Sequence, residues 1–188
     1  SLGYKDDYSA LDADIALVWE PPSGFLSKYK KLKGVVNLGQ GVDHLLKDNI
    51  VPEDLPIVRL VDHEMSKLMA GWISLQVLNE TCYSSNYKNQ EKNKIWGQLP
   101  LVPTQNWTIG ILGIGALGSY IAKVLSNYGY DIRGWSKSRK NLENVKCYYG
   151  EDGLKQLLPE CRIIICLLPL TKDTKHILNI TRSWSSQI

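Results

Sequence analysis

A chain of 188 residues with 44% hydrophobic side chains has room for one large or two small globular domains, each with a buried core. Its net charge of +3, from 22 basic and 19 acidic residues interspersed along the chain, excludes the strong electrostatic footprint of a nucleic-acid or membrane-surface protein. No run approaches the roughly 18 apolar residues of a membrane span and no signal-peptide pattern opens the chain, so a cytoplasmic protein is expected. Cys82, Cys147, Cys161 and Cys166 form no C-x-x-C pair and are expected to be reduced, mostly buried thiols.

In chain order, Ile15 to Trp19, Gly34 to Leu38 and Ile57 to Val61 are short apolar runs rich in β-branched residues, and each predicts a strand. Continuous apolar strands separated by helix-length segments imply a parallel sheet covered on both faces. One long helix is predicted from Ser66 to about Gln90, with Leu68, Met69, Trp72, Leu75, Gln76 and Leu78 on an apolar stripe. The prolines of Leu99-Pro-Leu-Val-Pro103 then break the chain, which places a domain boundary there: residues 1–99 and residues 100–188.

The second part restarts with a strand at Thr108 to Leu112, a glycine turn and a helix from Ala116 to Asn127. Asp131 to Trp135 predicts the next strand, Val145 to Tyr149 a short apolar patch, Glu151 to Leu158 a helix, and Arg162 to Leu168 a strongly apolar strand. This β-α-β-α-β succession is the opening of a Rossmann half.

Gly113-Ile-Gly115-Ala116-Leu117-Gly118 is a G-x-G-x-x-G pattern with a strand before it and a helix after it, the context a dinucleotide-binding turn requires. Gly113 permits the tight turn, Gly115 lets the backbone approach a pyrophosphate, and Gly118 lets the helix pack on the strand. The pyrophosphate would sit on the unpaired N–H groups and positive dipole end of that helix. About 20 residues further on, an NAD site carries an acid for the ribose hydroxyl. Here the sequence is Ser136-Lys137-Ser138-Arg139-Lys140, without an acid, and hydroxyls and cations favour a 2′-phosphate. NADP, as NADPH, is therefore expected in preference to NAD. The same residues leave two other readings: an S-adenosylmethionine site with a looser turn, and a solvated basic loop beside a turn that binds nothing.

Taken with Ala16 to Pro22, Asn37-Leu-Gly-Gln-Gly-Val-Asp43, Arg59-Leu60, Met65 to Leu78 and Cys161 to Thr174, these segments resemble the D-isomer-specific 2-hydroxyacid dehydrogenases, nearest to members acting on glyoxylate and hydroxypyruvate. The resemblance implies an α/β protein with two doubly wound parallel sheets. A flavodoxin-like substrate domain would face a Rossmann domain across a cleft, with the long helix crossing between them. It implies NADPH-dependent reduction of a small 2-oxoacid to the D-2-hydroxyacid, and a homodimer in the intact enzyme. Gly39, Gln40 and Gly41 match the loop whose N–H groups hold the substrate carboxylate, and Trp19 and Trp96 lie in segments that resemble walls of the substrate cleft. Leu168, Pro169 and Thr174 match the loop that lies along the cofactor.

In such enzymes the acid/base histidine with its carboxylate, and an arginine in Asn-x-Ala-Arg-Gly, complete the chemistry. None of His44, His63 and His176 stands in that context; they read as surface or loop residues, and the catalytic set is expected beyond Ile188. The chain therefore reads as shortened at both ends and inactive alone. A catalytically inactive dinucleotide-binding fragment or a nucleotide-sensing protein on the same fold is the alternative function.

Overall fold

The computed structural model describes residues 13–39, 41, 42, 44, 45, 54–60 and 62–178. They form two compact units, one of the described residues up to 62 together with 169–175 and the other of residues 63–168 together with 176–178.

In the first unit, β1 (Ile15–Val18), β2 (Gly34–Asn37) and β3 (Ile57–Arg59) pair in parallel in that order. Ile15 stands opposite Gly34 and Val35 opposite Ile57. Val18, Leu26, Val35 and Leu45 make the core.

The second unit begins with α1 (His63–Thr81) and α2 (Ser84–Lys92), followed by β4 (Thr108–Leu112), α3 (Ala116–Ser126), β5 (Asp131–Ser136), β6 (Lys146–Tyr149), α4 (Gly150–Leu157) and β7 (Ile163–Cys166). All pairings are parallel and the strand order is β6-β5-β4-β7. The period of two along β4 divides the core. Ile109 and Ile111 pack with Ile121 and Leu125 of α3 and with Ile73 and Val77 of α1, whereas Leu112 packs with Trp135 and with Leu154 and Leu157 of α4. Helices thus cover both faces, as a doubly wound sheet requires. Each of these fully buried aliphatic side chains contributes roughly 1.5–3 kcal/mol. Gly110 points to the α4 face, where an added Cβ would lie 2.7 Å from Ile164 and 2.8 Å from Cys161.

Three expectations are corrected. The single helix over residues 66–90 is two: Tyr83 takes a left-handed conformation at φ 56°, ending α1 and starting α2. The buried face of α1 is Ala70, Ile73, Ser74 and Val77, while Leu68, Trp72 and Leu75 are exposed. The bulky stripe misled because α1 is apolar on more than one side, and the small residues are the ones that let it approach the sheet and α3. Only Cys161 is buried; Cys82 and Cys166 are exposed and Cys147 is half-buried, since they fall at element ends or on an outer strand. α1 shares its core with β4 and α3, and the two compact units divide between residues 62 and 63.

At the far end of the sheet the Arg133 guanidinium pairs with Glu160 and, at 3.0 Å, with Asp131. Tyr148 donates to Glu160 at 2.6 Å and Lys146 stands 3.4 Å from the same carboxylate. Arg133 is 18% exposed and Glu160 38%. Removing a partner from a fully buried pair costs about 3–5 kcal/mol, and the half-open position of Glu160 lowers that. Glu160→Ala is expected to destabilise this unit by about 1–3 kcal/mol, read by thermal unfolding; an unchanged melting temperature would contradict the role of the network.

Candidate dinucleotide site and carboxylate loop

From β4 the chain adds β5 and β6 on one side and β7 on the other, so the order reverses between β4 and β7. In open α/β sheets ligands bind outside the carboxyl ends of the strands at such a reversal. The glycine turn leaves β4 there and Leu167-Leu168 leave β7.

Each glycine of the turn has a separate physical reason. Gly113 sits at φ +101°, and an added Cβ would stand 3.1 Å from Leu168 and 3.3 Å from the Leu167 backbone. Gly118 is the tightest: its Cβ would lie 2.1 Å from the Gly113 carbonyl oxygen, so only glycine lets α3 rest on the turn. Gly115 has ordinary dihedrals and nothing within 4 Å of the Cβ position. Its missing side chain leaves open space over the N-terminus of α3, where no side chain caps the first turn and no acid stands in it. Ala116, Leu117 and Gly118 open this helix with N–H groups that lack intrahelical partners. An open cradle, orphan donors and a positive dipole end fit a diphosphate.

At the end of β5, Ser136 is buried and its hydroxyl donates to the Ser138 carbonyl at 2.6 Å, while Lys137, Ser138 and Arg139 are exposed. The Ser136 hydroxyl proton is thus spent on shaping the loop, and the donors facing solvent belong to its neighbours. Lys140, outside the expected set, donates from Nζ to the Ile114 carbonyl at 3.2 Å and ties this loop to the glycine turn. A lone lysine after a basic run carries no sequence signal for that contact. Thr174 donates to the Pro169 carbonyl and accepts from the Thr171 N–H at 2.8 Å, closing the turn that Pro169 begins.

In the three-stranded unit, Gly39 is half-buried and Gly41 exposed; Gln40 lies outside the described residues. Asn37 donates from Nδ2 to the carbonyls of Gly39, at 2.8 Å, and Gly41, at 2.7 Å. The Trp19 indole nitrogen stands 3.9 Å from the Cβ position of Gly39, placing this 65% exposed ring beside the loop. Trp96 is fully exposed in the other unit.

His63 and His176 are exposed, as expected, but His44 is half-buried, with Nε2 buried and without a partner among the described residues. Burial pushes the Cys161 thiol up to about 11 against a smaller opposing pull from Arg133, so it stays protonated at neutral pH and is no nucleophile. Among the described residues no cluster of His, Cys, Asp and Glu could hold a metal, and no helix is long and apolar enough to cross a membrane.

A parallel sheet with an open glycine turn at its reversal point defines a Rossmann-type nucleotide-binding fold. Residues 75–182 match the family described as D-isomer specific 2-hydroxyacid dehydrogenase, NAD binding domain. The chain belongs to the D-isomer-specific 2-hydroxyacid dehydrogenase family. It is 35% identical over 174 residues to glyoxylate/hydroxypyruvate reductase A of Photorhabdus laumondii subsp. laumondii, covering 90% of this chain and 56% of the relative. A D-isomer specific 2-hydroxyacid dehydrogenase from Xanthobacter autotrophicus Py2, solved in complex with NADPH and MES, superposes with a TM-score of 0.84 at 35% identity, over 95% of this chain and 56% of that one. The NADPH-dependent glyoxylate/hydroxypyruvate reductase of Sinorhizobium meliloti, solved with NADP and sulfate, gives 0.80 at 34%, over 90% and 53%. The chain spans about half the length of the curated relatives it matches.

Proposed function

We propose that these residues belong to a cytoplasmic, homodimeric reductase that uses NADPH to reduce small 2-oxoacids of the glyoxylate and hydroxypyruvate type to D-2-hydroxyacids. The observation that carries the reading is the glycine turn at the β4–β7 reversal, with open space at Gly115, beside a loop after β5 that holds cations in place of an acid. Two solved proteins to which this chain is similar were crystallised with NADPH or NADP, which supports the reading.

When bound, the dinucleotide supplies a hydride to the carbonyl carbon of the 2-oxoacid. The chain's own residues bind and orient. The N–H groups at the start of α3 take the diphosphate, Arg139 and Lys137 the 2′-phosphate, and Leu168, Pro169 and Thr174 the nicotinamide side. Gly39, Gln40 and Gly41 hold the substrate carboxylate, with Trp19 beside them. The histidine acid and the arginine that stabilises the developing oxyanion are assigned outside residues 1–188.

A carboxylate held by backbone N–H groups contributes about 1.5–3 kcal/mol that an aldehyde without it forgoes. The full-length enzyme is therefore expected to show kcat/KM for acetaldehyde at least about tenfold below that for glyoxylate. Comparable values would rule out the loop's role.

A further inference from the structure

β5 turns its residues alternately to two cores: Ile132 and Gly134 to the face that α3 covers, Trp135 to the α4 face. A glycine inside a strand weakens it and marks a place where another group comes close. That group is Ile114, the residue between the first two glycines of the turn. A Cβ on Gly134 would stand 2.7 Å from its Cγ2 and 3.2 Å from its Cδ1, with Val145 at 3.3 Å. Ile114 is only 1% exposed, so this turn residue is buried as deeply as the strands beside it.

The backbone of Ile114 is tied to the same place. Its N–H and that of Gly113 both donate to the Trp135 carbonyl, at 3.3 and 2.8 Å. Its own carbonyl accepts from Ser119 Oγ at 3.3 Å and from Lys140 Nζ at 3.2 Å. Of these partners all but Ser119 lie on β5 or on the chain between β5 and β6, so β5 locates the turn from which α3 starts.

Carbon atoms in contact stand about 3.5–4.0 Å apart, so a methyl on residue 134 would drive the Ile114 Cγ2 back by about 1 Å. β5 is paired on both sides, with β4 and β6, and yields less than the turn does. Isoleucine is stiff at χ1 and Cγ2 hangs directly on Cβ, so the backbone of the turn moves with it.

We infer that Gly134 is a positioning residue for the dinucleotide: its missing side chain leaves the notch on β5 that seats Ile114, and that seat sets where the glycine turn and the first N–H groups of α3 stand. This rests on the reading of the turn as the diphosphate cradle.

The test is a double-mutant cycle on the full-length protein, with NADPH as the probe in fluorescence titration and thermal unfolding run alongside. Gly134→Ala is expected to weaken NADPH binding about tenfold or more. Gly110→Ala makes the same change in the same sheet, against Ile164, Cys161 and Leu157 and away from the turn. It is expected to lower the melting temperature while NADPH affinity stays within about twofold of wild type. In an Ile114→Ala background, where the clashing methyl is gone, adding Gly134→Ala should cost no further affinity. If Gly134→Ala alone does not fold, the double variant, free of the clash, is expected to fold and bind NADPH within about tenfold of wild type.

Wild-type NADPH affinity in folded Gly134→Ala overturns the inference. So does the same fold-loss from Gly134→Ala in both backgrounds, an equal loss of NADPH affinity in Gly110→Ala, or a folded double variant that does not bind NADPH. A folded wild-type protein that does not bind NADPH overturns the reading of the turn itself, so the two failures are told apart by which protein loses the probe.

Discussion

Gly118→Ala is expected to cost the protein both its dinucleotide affinity and part of its stability. The new methyl would stand 2.1 Å from the Gly113 carbonyl oxygen, an overlap with backbone that no side-chain rotation relieves. Either α3 lifts from β4, moving the buried Ile121, Ala122 and Leu125, or the turn rotates and the N–H groups at Ala116 and Leu117 lose their common direction. Overpacking a tight core costs about 1–3 kcal/mol and occasionally more, and contact with rigid backbone belongs at the upper end. NADPH affinity should fall about a hundredfold or more, with a lowered melting temperature. Gly115→Ala separates the two effects. With nothing within 4 Å, its methyl leaves the fold intact, yet it occupies the space the diphosphate needs. Stability near wild type with weakened NADPH binding is expected there; a Gly115→Ala protein that binds NADPH normally would sink the assignment of the cradle.

The second large effect is on cofactor choice. Arg139 is exposed on the loop after β5, and Lys140 anchors that loop to the glycine turn, so the cationic segment is held where an adenosine 2′-phosphate would arrive. A charge-assisted hydrogen bond is worth about 1.5–3 kcal/mol, or roughly ten- to 150-fold in affinity. Arg139→Ala is expected to weaken NADPH binding by that amount and to leave NADH little affected, since NADH has no phosphate for Arg139 to meet. Equal loss for both cofactors, measured by fluorescence titration, would contradict the role. Raising salt should erode the NADPH preference as well, because an exposed pair is screened.

The parallel strands were legible because buried strands leave continuous apolar runs such as Ile109 to Leu112, and the glycine turn was legible because three separate steric demands fall at fixed spacing. What failed was periodicity on α1, where Leu68, Trp72 and Leu75 look like a core stripe and Ala70, Ser74 and Val77 are the buried face. Residue size speaks for hydrophobicity and is silent about which side a neighbouring helix approaches. The break at Tyr83 was hidden for a related reason: a left-handed tyrosine has none of the glycine or proline punctuation that marks helix ends. Asn37 and Lys140 were missed because each acts through one long-range or loop contact, and a single polar residue in a strand or basic run carries no pattern.

Hydroxypyruvate offers the most direct test, since its reduced product is chiral. The full-length enzyme supplied with NADPH and hydroxypyruvate should consume the cofactor and release D-glycerate, resolved on a chiral column. Formation of L-glycerate, or an absence of NADPH consumption, would contradict the account.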